Sequence, residues 1–207
     1  MLKSNNEKII LDLCGGTGSW STPYAKAGYD VRLVTLPFHD VLTYDPPDNV
    51  YGILAAPPCT EFSIAKNHKL IRNLDEGMEI VYACLRIINK ANPKFYALEN
   101  PVGKLKDFLG KPQYTFQPWF FGDGWTKRTM LWGNFIIPKR TFFNWEDVPK
   151  IEGLYIRPGR KTPSIAFNHK SHKKFIRAFD DFTAETDADF RAITPPGFAN
   201  AFYKVNM

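Results

Sequence analysis

Lys8-Ile9-Ile10-Leu11-Asp12-Leu13 runs directly into Cys14-Gly15-Gly16-Thr17-Gly18. The apolar run reads as a buried strand, and the glycines read as a turn that a helix follows. That helix passes through Ala25-Lys26-Ala27 and ends at Gly28. The same plan recurs downstream. Val31–Thr35 reads as a second strand, and Gly52–Ala56 as a third, stopped by Pro57-Pro58. Met78, Val81, Cys84, Leu85 and Ile88 fall at helical spacing over residues 75–91, with Asp75 as the expected cap. Phe95–Leu98 is a further strand, and Met130–Ile137 a late one. Strand alternating with helix predicts an α/β fold: an open, mostly parallel sheet with helices on both faces. Ligands in such sheets sit beyond the carboxyl ends of the strands.

The chain has 207 residues and is 44% hydrophobic and 15% aromatic, enough for one domain with a real core. Its net charge of +6 and pI near 9.1 hint at a polyanion partner. The three cysteines, Cys14, Cys59 and Cys84, have no Cys-x-x-Cys spacing, which disfavours a disulfide framework or a zinc site, so no metal is expected. No apolar run approaches the roughly 18 residues a bilayer span requires, and no signal peptide opens the chain. A reducing cytoplasm and no membrane partner are the expectation. From about residue 142 the pattern becomes irregular and basic, with Arg157, Arg160, Lys161, Lys170, Lys173 and Arg177. The expected division is a core over 1–141, a small basic lobe over 142–190, and a segment over 191–207 that returns to the core.

Four constellations carry chemistry. Asp12 with Gly15, Gly16 and Gly18 lets a ligand approach the backbone closely, beside free amides at a helix start. The spacing is not Gly-x-Gly-x-x-Gly, so it suits a nucleoside cofactor without a pyrophosphate, such as S-adenosylmethionine; alone it is equally a tight structural turn. Cys59 follows two prolines at a strand tip among polar residues, where a thiol serves as a nucleophile. Cys84 sits on a helix stripe as an ordinary buried thiol, and Cys14 reads similarly. Glu99, in Leu98-Glu99-Asn100-Pro101, places a carboxylate at another strand tip. Arg128 precedes the late strand and by itself is an ordinary solvated arginine. The basic stretch 157–177 is, alone, more often a solvated surface than a nucleic-acid site.

Taken in order, these stretches resemble the DNA cytosine-5 methyltransferase family. Asp12-Leu13-Cys14-Gly15-Gly16-Thr17-Gly18 is similar to its cofactor loop, and Pro57-Pro58-Cys59-Thr60-Glu61-Phe62-Ser63 to its nucleophile loop. Leu98-Glu99-Asn100-Pro101 resembles its Glu-Asn-Val, and Arg128 stands in the place of the last arginine of Gln-x-Arg-x-Arg. Thr194-Pro195-Pro196-Gly197-Phe198-Ala199-Asn200-Ala201-Phe202 resembles its closing helix motif. The resemblance covers residues 8–135 and 191–203. It implies a Rossmann-like S-adenosylmethionine-dependent fold acting on DNA, duplex or single-stranded, in a compact and phage-like monomer. Cys59, Glu99 and Arg128 would be catalytic. Asp12, Cys14, Gly15, Gly16, Gly18, Trp20, Asp40, Pro57 and Asn200 would hold the cofactor. Ser63, Asn100, Lys127, Arg157, Arg160 and Lys173 would meet substrate.

By this resemblance Cys59 adds to carbon 6 of cytosine, Glu99 serves the ring nitrogen, Arg128 serves the ring carbonyl, and carbon 5 takes the methyl group. The sequence also departs from the family. Val34-Thr35-Leu36-Pro37 stands where an acid usually meets the ribose. Gly124-Trp125-Thr126-Lys127-Arg128 keeps one arginine in place. Fewer than sixty residues separate Asn134 from Arg191, far short of the usual recognition domain. Low or short sequence specificity follows, since readout needs several side chains at base edges. RNA cytosine or a free cytosine nucleotide is the alternative substrate, and a catalytically silent nucleic-acid-binding relative the alternative class.

Overall fold

The structure is a computed structural model and describes residues 4–64, 71–164 and 187–207. Six strands form one sheet: β1 (Ile9–Leu13), β2 (Asp30–Val34), β3 (Val50–Ala55), β4 (Phe95–Pro101), β5 (Tyr114–Phe116) and β6 (Thr129–Asn134). Their spatial order is β2-β1-β3-β4-β6-β5. The first four strands are parallel, whereas β6 runs antiparallel to both β4 and β5. The expected mostly parallel sheet is therefore mixed at one side, where Gly110 (φ 74) and Gly122 (φ 96) flank the short β5 segment. The late strand stops at Asn134, three residues before its expected end.

Alternation along the strands divides the core between the two faces. Leu11, Leu13, Ile53 and Ala55 face one layer, where they meet Met78, Val81, Cys84 and Ile87 of α2 (Leu74–Ala91). Ile10, Leu54 and Ala97 face the other, against Tyr24 of α1 (Thr22–Lys26) and the C-terminal helix. A short α3 (Lys106–Leu109) follows β4. Toward the C-terminus come α4 (Asp187–Ala192) and α5 (Pro196–Val205), and Phe198 and Phe202 of α5 are fully buried. Phe198 stacks on Phe116 with ring centroids 3.9 Å apart.

The apolar stripe of α2 recurs every three to four residues, which is why it forms a long amphipathic helix. Its cap is Asn73, not the expected Asp75: the Asn73 side chain accepts from the Glu76 amide at 3.3 Å. Asp75 lies inside the first turn, where a carboxylate complements the helix dipole without capping. Asn92, left-handed at φ 43, ends the helix with its amide on the Ile88 carbonyl. Asp123 ties the C-terminal helix to the β5–β6 connection, its Oδ1 accepting from the Gly197 amide at 3.1 Å.

Candidate active site

The carboxyl ends of β1, β3 and β4 open onto one cavity of about 450 Å³. Asp12, Cys14, Gly15 and Trp20 line one part of it. Ala56, Pro57, Pro58, Cys59, Thr60 and Ser63 line another, with Glu99, Pro101 and Lys127 beside them. Arg191, Ala192 and Thr194 supply the remainder.

The Cys59 loop is fastened at each step. The Ala56 amide donates to the Leu13 carbonyl at 2.9 Å, carrying on from the β1–β3 ladder. Asn100, fully buried, donates from Nδ2 to the Pro57 carbonyl at 2.9 Å. The Cys59 carbonyl accepts from the amides of Phe62 and Ser63 at 3.0 and 2.8 Å, which closes a tight turn under the thiol. Phe62 is wholly buried between two glycines. A Cβ at Gly77 would come within 2.8 Å of its ring, and one at Gly103 within 2.0 Å of its carbonyl oxygen. Arg72 donates to the Glu61 and Ser63 carbonyls at 2.6 and 3.0 Å. These bonds leave the partly exposed Cys59 thiol facing the cavity on a fixed backbone.

Glu99 lies within β4, opposite Leu131 of β6, not beyond the strand's tip. Lys127 Nζ stands 4.0 Å from Glu99 Oε1, and both side chains are only 13% exposed. Burial holds the Glu99 carboxyl above the usual range, with Lys127 and the Thr129 hydroxyl pulling it back. Burial likewise pushes the Cys59 thiol up. Lys127 opposes that, Glu99 adds to it, and Arg191 opposes it.

At the β1 end, Asp12 is fully buried, and its carboxyl is pushed up to about 6 by burial. Its Oδ2 accepts from Ser21 Oγ at 2.6 Å, while Oδ1 has no partner. Gly15 is required there, because a Cβ would lie 2.4 Å from the Asp12 carboxyl carbon. Trp20 is 2% exposed, with its indole N–H unpaired. A buried acceptor, a buried donor and a backbone cradle beside one cavity fit a cationic nucleoside cofactor such as S-adenosylmethionine. Cys14, at φ 56, lines the same wall. A hydrogen bond from the buried Cys84 thiol holds its thiol below the ordinary value, against burial, Asp12 and Asp40.

Several expected site residues stand elsewhere. Gly16 (φ 52) and Gly18 (φ 70) shape the turn in left-handed backbone but do not line the cavity. Asp40 binds its own loop through the Leu42 amide at 2.9 Å and reaches the site only through its charge on Cys14. Asn200 is exposed, and its Nδ2 bonds back to the Pro196 carbonyl at 2.9 Å. Asn100 positions the loop and does not line the cavity. Arg128 is solvent-exposed outside the lining, because consecutive side chains at the entry to β6 alternate and Lys127 takes the inward place. Arg157 and Arg160 are exposed in a turn away from the lining. Lys173 lies outside the described residues. Arg191, Ala192 and Thr194 were not among the expected site residues, although Thr194 opens the Thr194-Pro195-Pro196 stretch and the other two lie just before it. The Thr194 amide donates to Ser19 Oγ at 2.8 Å, a contact that joins distant parts of the chain. Among the described residues, no group of three or more His, Cys, Asp or Glu could hold a metal ion, and no helix is long and apolar enough to cross a membrane.

Residues 20–116 match the family model for C-5 cytosine-specific DNA methylase, a span that includes Cys59 and Glu99. A curated relative, the Type II methyltransferase M.DdeI of Desulfomicrobium norvegicum, is 28% identical over 129 residues, covering 51% of this chain and 30% of the relative. A solved structure from an E. coli prophage, described as a DNA modification methyltransferase, aligns at 17% identity with a TM-score of 0.48, covering 61% of this chain and 46% of that one. The chain thus spans less than half the length of either protein.

Proposed function

We propose that the chain is a C-5 cytosine-specific DNA methylase, a reading supported by the match over residues 20–116, and that it methylates carbon 5 of cytosine in DNA through a covalent adduct with Cys59. One observation carries the proposal: a single cavity is lined both by Cys59 and Glu99 and by the Asp12–Gly15–Trp20 cradle. Nucleophile, acid and cofactor wall share one space, as a displacement between two bound molecules demands.

S-adenosylmethionine, when bound, supplies an electrophilic methyl group. Asp12, with its unpaired Oδ1, and the Gly15 backbone would hold it beside Trp20. Cys59 as thiolate forms a bond to carbon 6, and the ring's double-bond electrons move toward carbon 5, which becomes nucleophilic. Glu99, whose raised carboxyl retains a proton more readily than a surface glutamate, donates it to the ring nitrogen as charge builds there. Lys127 holds Glu99 in place and offsets the negative charge left on the carboxylate. Carbon 5 would then take the methyl group as the bond between that group and the cofactor's sulfur breaks, and the demethylated cofactor would leave. Loss of the carbon 5 proton restores the carbon 5–carbon 6 double bond as the carbon 6–sulfur bond breaks, which releases the Cys59 thiolate, and the ring-nitrogen proton returns to Glu99. In duplex DNA the target must leave the stack at a cost of a few kcal/mol. Arg157 and Arg160, both exposed, would contribute phosphate contacts, so activity should fall as salt rises.

The test is incubation with the cofactor and separate samples of duplex DNA, single-stranded DNA, RNA and cytidine nucleotides, followed by mass analysis of nucleosides. The expected product is 5-methylcytosine in DNA, absent with Cys59→Ala. A Cys59→Ala variant that methylates at the wild-type rate would rule out the covalent route, and product confined to RNA or nucleotides would overturn the substrate.

A further inference from the structure

The proposed chemistry places two groups that ionise, the Cys59 thiol and the Glu99 carboxyl, in one cavity. Lys127 stands 4.0 Å from Glu99. Before substrate is bound, with both groups ionised, one positive charge does not offset a thiolate and a carboxylate together, and an uncompensated charge that is largely buried is costly. Among the described residues, the lining includes one further cation, Arg191 of α4. Its placement is secured on both sides: Phe190 and Ile193 are buried in the core, at 3% and 0% exposure. The Thr194 amide is bonded to Ser19.

We propose that Arg191 is a positioning residue of this site: the end of α4 brings it to the wall of the cavity that Cys59 lines, as a second cation that supports the Cys59 thiolate alongside Lys127. The inference rests on the reading of Cys59 as nucleophile. Among the described residues, the charged groups that act on the thiol are, largest first, Lys127, Glu99 and Arg191; the two cations favour its ionised form and Glu99 opposes it. An arginine keeps its charge across the working pH range, so the support persists whatever the state of Glu99. Being exposed, Arg191 should act less strongly at high salt.

Alkylation by iodoacetamide tests this without requiring methyl transfer, so the outcome is separable from failure of the functional reading. The labelled protein is digested, and modification of each cysteine peptide is followed over time between pH 6 and 9. Arg191→Gln should slow Cys59 alkylation by roughly three- to ten-fold at pH 7 and move its pH profile upward, with the gap closing in strong salt. Arg191→Lys should restore most of the rate. Cys14, whose thiol answers to Cys84, Asp12 and Asp40, should react as in the wild type. An unchanged Cys59 profile in Arg191→Gln overturns the proposal, as does equal slowing of Cys14 and Cys59, which would mark a general change in access. Failure of Arg191→Lys to rescue would likewise refute a role carried by charge.

Discussion

Replacing Lys127 by Met removes the cation that faces Glu99 and keeps a side chain of similar length. With Nζ and Oε1 4.0 Å apart, the attraction is about 4 kcal/mol at an effective dielectric of 20, against about 1 kcal/mol in bulk water. Side chains 13% exposed lie between those limits, so a double-mutant cycle of Lys127→Met and Glu99→Gln should give a coupling of about 1 to 4 kcal/mol. The sign with pH follows from burial. The Glu99 carboxyl lies above its ordinary range in the folded state, so the native protein binds more protons there than the unfolded chain. Stability from this group is therefore highest at low pH and declines as pH rises through the carboxyl's range. Lys127→Met should steepen that decline, and Glu99→Gln should abolish it. Urea unfolding of the four proteins at pH 5.5 and pH 8 reads both effects. A coupling below about 0.5 kcal/mol at pH 8, or a Lys127→Met penalty larger at pH 5.5 than at pH 8, would refute the reasoning, because an ion pair must weaken as its carboxylate takes up a proton.

Two further outcomes follow from the geometry. Gly103→Ala forces a Cβ to within 2.0 Å of the Phe62 carbonyl oxygen, so it should lose about 1 to 3 kcal/mol and lower Tm by about 3 to 10 °C in thermal melts; an unchanged Tm would mean that the Cys59 loop is not clamped there. Asp12, with its carboxyl near 6, carries full negative charge only above that pH, so affinity for S-adenosylmethionine measured by calorimetry should fall as pH drops from 7.5 to 5.5, and Asp12→Asn should flatten the curve; a wild-type affinity constant across that range would exclude Asp12 as a contact.

The parallel half of the sheet was legible because its strands are short, mainly apolar runs, with Arg32 interrupting β2, each stopped by glycine, proline or a polar turn. The side strands were not. Tyr114–Phe116 is three residues long and carries no periodic signal, and nothing local states that β6 runs antiparallel. Cys59 and Glu99 stood out as chemical groups at strand ends, and the fold brings them to one cavity. Motif alignment pointed to Arg128, whereas the alternation of side chains at the strand entry turns Lys127 inward. Arg191 could not be found from spacing, since it shares a cavity with Cys59 only through tertiary docking, which the Thr194–Ser19 contact fixes three residues on. Asn200 illustrates the reverse: a motif residue can keep its place in sequence while its side chain bonds within its own helix.

The shuffled strand order also governs how the molecule comes into being. Neighbouring strands in the sheet are often remote along the chain, as β1 and β3 or β4 and β6 are. Each such ladder must close a long loop before any of its hydrogen bonds repay the lost freedom, so assembly is slow compared with that of a helical bundle of equal length. Helix α2 can flicker into shape early, yet the cavity has no walls until the last long-range ladder and the Ser19–Thr194 contact are made. A re-formed cavity therefore reports completion of the whole tertiary arrangement, whereas recovered helical signal alone does not.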